Sequence, residues 1–356
     1  MRFRKPSGTI CIALLLSMAS GCAHFIEQQI LYPGDGGMVV EGVNDRELLE
    51  IYHLQAREVT GQQGFPFYFG DAEALTADFM PPKMDFTFRY SNAPKGIEPV
   101  RKYKLELESP PKDFPSAKGI IILLHSYSTN AQSVFFDNVA LQLQGYHTAS
   151  FDLLGHGQAK QKPVSFGAAD LKRLHRLITT LKQQYQLPVI LYGKSYGASI
   201  AAQYIASYGS ISGFIAVAPM TDFTPAATRM AKSSSPLLTK LVSDQWLQTT
   251  FENVLTERQT NSRQLSTPRI LLRQTTDSLP PTLILAGGLD KISDPEQIKA
   301  LATIDAVELR HFDNRGHVEM MIYDNQVNDA VNRWLGNHEA IKKPSDDRAG
   351  LSNSSR

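Results

Sequence analysis

Cysteine is nearly absent: Cys11 and Cys22 are the only two in 356 residues. That count excludes disulfide-stapled scaffolds and thiolate metal clusters. A surplus of either charge is also missing, with Lys and Arg totalling 36 against 35 acidic residues. Without a broad basic field, nucleic acid is not an expected partner. No HExxH occurs and no internal repeat is visible, so neither a metal nor any other cofactor is implied. The N-terminal apolar run from Ile10 to Leu16 falls well short of the roughly 20 residues that span a bilayer. What the chain does have is 42% hydrophobic residues, enough to bury one large core.

The N-terminus differs in kind from the rest. Arg2, Arg4 and Lys5 precede the apolar run, and Ala19, Ser20 and Gly21 lead into Cys22. This is the pattern of a secretory signal over residues 1–21. Its end, "ASGC", resembles a bacterial lipobox, with Ala19 where leucine is commoner; the resemblance implies that Cys22 is acylated and becomes the first mature residue. An ordinary signal peptide is the plainer alternative, but it leaves Cys22 with no second cysteine to pair with once Cys11 is removed. Cleavage would take three basic and no acidic residues, leaving 33 against 35 and a net charge of −2. Attachment to a membrane is then expected from the lipid chains at Cys22 and not from a polybasic patch. By the same resemblance, Ala23 after the cysteine implies the outer membrane of a Gram-negative cell envelope.

Residues 22–80 read as an N-terminal extension. Within it, "NDRELLEIYHLQARE" is expected to be a helix capped by Asn44 or Asp45. The cluster "FPFYFG" from Phe65 is expected in the core. Two later pieces alternate with period two. Met84, Phe86, Phe88 and Tyr90 oppose Asp85, Thr87 and Arg89; Tyr103, Leu105 and Leu107 oppose Lys104, Glu106 and Glu108. They predict antiparallel strands at a sheet edge.

Beyond Lys118 the pattern changes. "GIIILLH", "HTASFD", "PVILYG", "GFIAVAP" and "PTLILAGG" do not alternate, as expected of strands buried on both faces. Helical patterns separate them, over 131–144 and over 168–185, the latter with Leu171, Leu174, Ile178 and Leu181 on one stripe. The expectation is an α/β fold, a doubly wound and mostly parallel sheet, over about 81–340. In such a sheet ligands bind beyond the carboxyl ends of the strands. His125, the stretch Asp152 to Gly157, Ser195 and Asp290 all fall there.

The pentapeptide Gly193-Lys194-Ser195-Tyr196-Gly197, with a strand before it and a helix after it, resembles the nucleophile elbow of the α/β-hydrolases. A serine hydroxyl needs an imidazole to take its proton, and the imidazole needs a carboxylate to fix its tautomer. His317, on a glycine-bearing loop after the strand 307–312, is the histidine that follows the nucleophile in the right place. His125 and His156 end strands but precede it, His147 and His311 lie within strands, and His175 lies within a helix. His24, His53 and His338 sit in unpromising surroundings. For the acid, Asp290 directly follows its strand, whereas Asp294, before Pro295 and three residues ahead of Gln297, reads as a helix cap.

The resemblance also implies an oxyanion hole built from the N–H of Tyr196 and one from Ser126 or Tyr127. Here the chain departs from the family's common His-Gly-x. "DLLGHG" at 152–157 reads as structural. Residues 221–278 are the insertion in which the family varies most. Leu237, Leu238, Leu241 and Val242 form an apolar face there, with Trp246 and Leu247 nearby, either packed on the core or acting as a lid over an acyl pocket. Residues 341–356 are polar enough to predict disorder. The expected activity is that of a monoacylglycerol lipase-like or lysophospholipase-like enzyme, a serine hydrolase acting on a small acyl ester or lipid. A thioesterase, a proline iminopeptidase-like enzyme and a silent binding lipoprotein remain the alternatives on the same fold.

Overall fold

The computed structural model describes residues 24–33, 44–89, 100–111, 116–234, 240, 242–275 and 278–338. The signal peptide expected over 1–21, Cys22, Leu237, Leu238, Leu241 and the tail 341–356 lie outside the described residues. Ten strands are present among those described: β1 (Gln55–Val59), β2 (Phe65–Gly70), β3 (Met84–Arg89), β4 (Val100–Leu105), β5 (Gly119–Leu124), β6 (Tyr146–Ser150), β7 (Val189–Lys194), β8 (Gly213–Val217), β9 (Thr282–Gly287) and β10 (Val307–Phe312). Eight of them form one sheet in the order β1-β2-β6-β5-β7-β8-β9-β10.

From β6 to β10 every pairing is parallel; β1 and β2 are antiparallel. The strand sequences explain why. β5, β6, β7 and β8 are buried at every residue, because apart from the partnered His147 and Lys194 they supply mainly apolar or small groups to both faces. Ile120, Ile122 and Leu124 enter one core cluster with the helices Ala168–Tyr185 and Tyr196–Tyr208. Ile121 and Leu123 enter the other with the helix Asn325–Asn337.

β5 lies at the centre, with β6 on one side and β7 on the other. The winding reverses between β5 and β7, and their carboxyl ends open the crevice in which such sheets hold ligands.

Residues 55–70, on the N-terminal side of the boundary expected at 80, supply β1 and β2. Phe65, Phe67 and Phe69 are buried in the main core. The helix expected from "NDRELLEIYHLQARE" is Asp45–Ile51, with Asn44 and Glu47 forming a reciprocal cap. It is shorter than expected because Gln55–Val59 pairs with β2 instead. β3 and β4 pair antiparallel, with Phe86 opposite Tyr103, as the alternation required. They do not extend the main sheet, however, and form a separate two-stranded sheet. The reason is where the apolar face goes: Leu105 is buried in the cluster that holds the C-terminal helix, while β3 stays largely exposed.

The helix expected over 131–144 is Phe135–Leu143, entered through a 3-10 turn at Ala131–Val134. The described part of 221–278 contains the helices Phe223–Ser234, Asp244–Glu257 and Thr267–Leu271, with a 3-10 turn at Ser262–Leu265. Among the described residues no helix is long and apolar enough to cross a membrane.

Candidate active site

Ser195 follows β7 directly and caps the helix Tyr196–Tyr208, with φ 48° and ψ −105°. A residue with a Cβ rarely adopts that conformation. Two glycines make room for it. A Cβ on Gly193 would run into the backbone of Ala198, and one on Gly197 into the carbonyls of Leu124 and His125. The Ser195 N–H donates to Val217 O at 2.9 Å, which ties the turn to β8. Being first in the helix, the Tyr196 N–H has no acceptor within it.

His317 opens the short helix His317–Met320 beyond β10. Its Nε2 lies 3.0 Å from Ser195 Oγ, and its Nδ1 lies 2.7 Å from Asp290 Oδ2. A carboxylate only accepts, so Nδ1 is the donor there and Nε2 turns its lone pair to the serine hydroxyl. The other oxygen of Asp290 accepts the N–H groups of Ile292 and Ser293 at 2.8 and 2.9 Å. Burial pushes the Asp290 carboxyl up, but the hydrogen bond and charge of His317 and these two N–H groups outweigh it and hold the group below its usual range. Ser195 and His317 are each 6% exposed. Asp294 caps the helix Pro295–Ala300 and accepts from Glu296 N and Gln297 N.

Several supporting groups have no local signature in the sequence. Ser293 Oγ lies 3.4 Å from His317 Nδ1 and donates to Pro219 O. Lys194, 2% exposed, donates to Asp137 Oδ2 at 2.8 Å and to Met321 O at 2.9 Å, while Tyr192 donates to the other oxygen of Asp137. Burial pushes the Asp137 carboxyl up, against the pull of Lys194 and Tyr192. Glu319, also buried, accepts from Gly316 N at 2.7 Å and from Tyr103 Oη, with Arg101 at 3.5 Å. The β3–β4 hairpin thereby braces the loop that carries His317.

The other histidines have structural partners. His125 Nε2 accepts from Leu153 N at 3.0 Å, so its Nδ1 donates to Ser126 O. His156 Nδ1 lies 3.0 Å from Leu154 O. Burial, with His125 adding to it, pushes His156 down to about 4. Asp152 accepts from Ala131 N and Gln158 N and organises the turn at 152–157.

In front of Ser195 and His317 opens a cavity of about 810 Å3. One wall is Phe223, Ala226, Ala227, Met230 and Ala231 from the helix 223–234, with Val242, Trp246, Leu247 and Phe251. A second is Tyr127 and Ser128, on the loop after β5. The third is a helix over 24–31, through Phe25, Ile26, Gln29 and Ile30. Among the described residues the lining includes no Asp, Glu, Lys or Arg. Ser126 is not among the lining residues and turns its hydroxyl to Thr129 at 3.2 Å. Tyr127 Oη donates to Ile30 O, and its ring packs edge-on against Tyr196. Among the described residues no group of three His, Cys, Asp or Glu side chains is placed to hold a metal ion.

Such an arrangement can pass a proton from Ser195 Oγ to His317 Nε2 while Asp290 stabilises the imidazolium, beside a helix N-terminus that favours developing negative charge.

A family model described as serine aminopeptidase, S33, matches residues 115–276. Lipase 1 of Psychrobacter immobilis is 24% identical over 254 residues, which span 62% of this chain and 76% of that protein. Among solved structures, an esterase of Pyrococcus furiosus superposes with a TM-score of 0.55 at 17% identity, covering 85% of this chain and 97% of that one. A second crystal form of that esterase gives 0.53 at 16% identity, covering 85% and 98%. These two likenesses are of fold.

Proposed function

We propose that this chain is a serine hydrolase and that it cleaves carboxylic esters of lipid-like acyl groups through an acyl-enzyme on Ser195, a reading that the family-model match over 115–276 and the likeness to a lipase support. One observation carries the choice of substrate: the lining of the cavity beside Ser195 includes no Asp, Glu, Lys or Arg among the described residues. An aminopeptidase must hold a substrate ammonium, and a thioesterase acting on a phosphorylated carrier must hold phosphate. Either charge would lose its hydration here without gaining an oppositely charged Asp, Glu, Lys or Arg among the described lining residues. An acyl chain gains about 0.8 kcal/mol for each methylene it buries. The 24% identity to a protein named a lipase agrees with this reading.

In the proposed mechanism Ser195 Oγ attacks the ester carbonyl carbon as His317 Nε2 takes its proton. The carbonyl oxygen becomes the oxyanion and accepts from the N–H of Tyr196 and from one N–H of the loop after β5, supplied by Ser126 or Tyr127. Collapse breaks the bond to the alkoxy group, which leaves with the proton that His317 returns. Water then repeats the sequence on the acyl-enzyme and releases the acid.

The protein acts from the cell envelope, tethered to the outer membrane by acyl groups on Cys22. This part of the reading rests on the sequence pattern at 2–22. Substituting Cys22→Ser should release the protein from membranes; retention by the variant would remove the anchor from the account.

The test of activity is hydrolysis of p-nitrophenyl esters from acetate to palmitate beside amino-acid p-nitroanilides. Ester turnover with a long-chain optimum is expected. Turnover of the anilides alone would return the aminopeptidase reading.

A further inference from the structure

The third wall of the cavity lies closest in sequence to the proposed anchor. Phe25, Ile26, Gln29 and Ile30 recur at helical spacing and face the cavity, and Pro33 continues the same line. The helix is pinned at its C-terminal end, where Ile30 O accepts from Tyr127 Oη and Leu31 O accepts from Val164 N at 2.9 Å. There Ile30 and Leu31 are 6% and 2% exposed. Its N-terminal end is open: Phe25 lines the cavity and is nonetheless 64% exposed. An apolar ring that is both wall and surface marks where the cavity meets solvent.

Cys22 precedes Phe25 by three residues. Even fully extended, such a stretch spans only about 11 Å. A lipid on Cys22 would therefore hold the mouth of the cavity at the bilayer surface and allow no approach from a distance. We infer that the helix 24–31 is at once the tether and the acyl-chain wall, so that the anchored protein takes long-chain esters directly from the leaflet that holds it. This rests on the ester-hydrolase reading and on acylation of Cys22. The ligand chemistry is a long acyl chain, and its source is the bilayer. A chain moving from leaflet to cavity exchanges one apolar surrounding for another and avoids the cost, about 0.8 kcal/mol per methylene, of crossing water.

The test uses the lipidated full-length protein, its acylation verified by intact mass. It is reconstituted in vesicles of phosphatidylethanolamine and phosphatidylglycerol that carry a fluorogenic palmitoyl ester. Two variants are compared at equal concentration: Cys22→Ser added from solution, and a lipidated form with a flexible Gly-Ser linker of about 20 residues inserted after Cys22. The lipidated protein should cleave the embedded ester at least tenfold faster than Cys22→Ser, the linker form should lose part of that advantage, and all three should cleave p-nitrophenyl acetate alike. Substituting Ile26→Trp, which fills the wall, should lower the palmitate-to-acetate ratio of kcat/KM at least tenfold. Equal rates of lipidated and Cys22→Ser protein on the embedded ester would overturn the inference, as would an unchanged ratio for Ile26→Trp or the absence of acyl mass on Cys22. Failure on every p-nitrophenyl ester from acetate to palmitate would instead overturn the ester-hydrolase reading.

Discussion

Lys194 Nζ donates to the carbonyl oxygen of Met321 at 2.9 Å, so the residue before Ser195 holds the far end of the short helix that begins at His317. The two halves of the Ser195–His317 pair belong to strands that are not neighbours in the sheet. Their 3.0 Å separation needs a brace, and a buried ammonium shared between Asp137 and Met321 supplies one. Lys194 is on this account a positioning residue.

Replacing Lys194 by Met would leave Asp137 buried opposite an apolar side chain. Removing one partner of such a pair typically costs about 3–5 kcal/mol. The double variant Lys194→Met/Asp137→Asn keeps an acceptor for Tyr192 and should recover most of that stability in urea unfolding. Its kcat should stay about 100-fold low with KM little changed, because misplacement of reacting groups by about 1 Å has that effect. Recovery of kcat along with stability would show that the pair serves the fold alone.

Asp290→Asn keeps the shape of the site but presents an amide to His317, which favours the wrong tautomer. The expected loss in kcat is about 10⁴-fold, read as steady-state ester turnover with KM near that of the parent. Since Asp290 is held below the usual carboxylate range, its ionisation adds stability above the ordinary carboxylate pKa, and that stability is lost only as pH falls through the lower folded value. Activity lost on mild acidification therefore does not come from Asp290.

His156 gives a pH dependence of stability. It is fully buried, its Nε2 has no partner among the described residues, and burial pushes it down to about 4 from 6.5 for the free side chain. Its proton is bound more tightly in the unfolded chain. The neutral ring's contribution is present above pH 6.5 and is lost as pH falls from there through 4, on the order of 3 kcal/mol in all. Urea unfolding of the parent and of His156→Phe between pH 7 and 4 should give curves that converge on acidification. Parallel curves would show that His156 is not titrating there.

The same glycine-to-alanine change should have opposite signs at two positions. At Gly197 the new methyl meets the Leu124 and His125 carbonyls, which cannot retreat without moving β5. Destabilisation of about 3 kcal/mol or more is expected. Gly336 sits inside the helix Asn325–Asn337 with nothing within 4 Å of an added Cβ. There, in the last turn of the helix, alanine should stabilise by up to about 0.5 kcal/mol. Thermal unfolding of the two variants checks both.

Where a feature is local, the residues announce it. The strands β5 to β9 are readable because, with both faces buried, they do not alternate apolar and polar residues. Ser195, Asp290 and His317 are readable because each immediately follows a strand or lies on the loop beyond one. Pairings across long separations are not. Nothing near Lys194 points to Met321, 127 residues on, or near Tyr103 to Glu319, 216 residues on. The hairpin β3–β4 shows its alternation but not its destination, since a period of two fixes the face of a strand and leaves open which surface it covers. The helix 24–31 is the clearest case. Its partners Tyr127 and Val164 lie about 100 residues or more away, and its apolar positions gain meaning only once the cavity beside them is known.

The most direct test of the central claim is the mass of the protein after reaction with a fluorophosphonate. One adduct is expected, mapped to Ser195, with ester hydrolysis lost in proportion to labelling, and Ser195→Ala should show neither adduct nor hydrolysis. Labelling or ester hydrolysis that survives in Ser195→Ala would contradict the account.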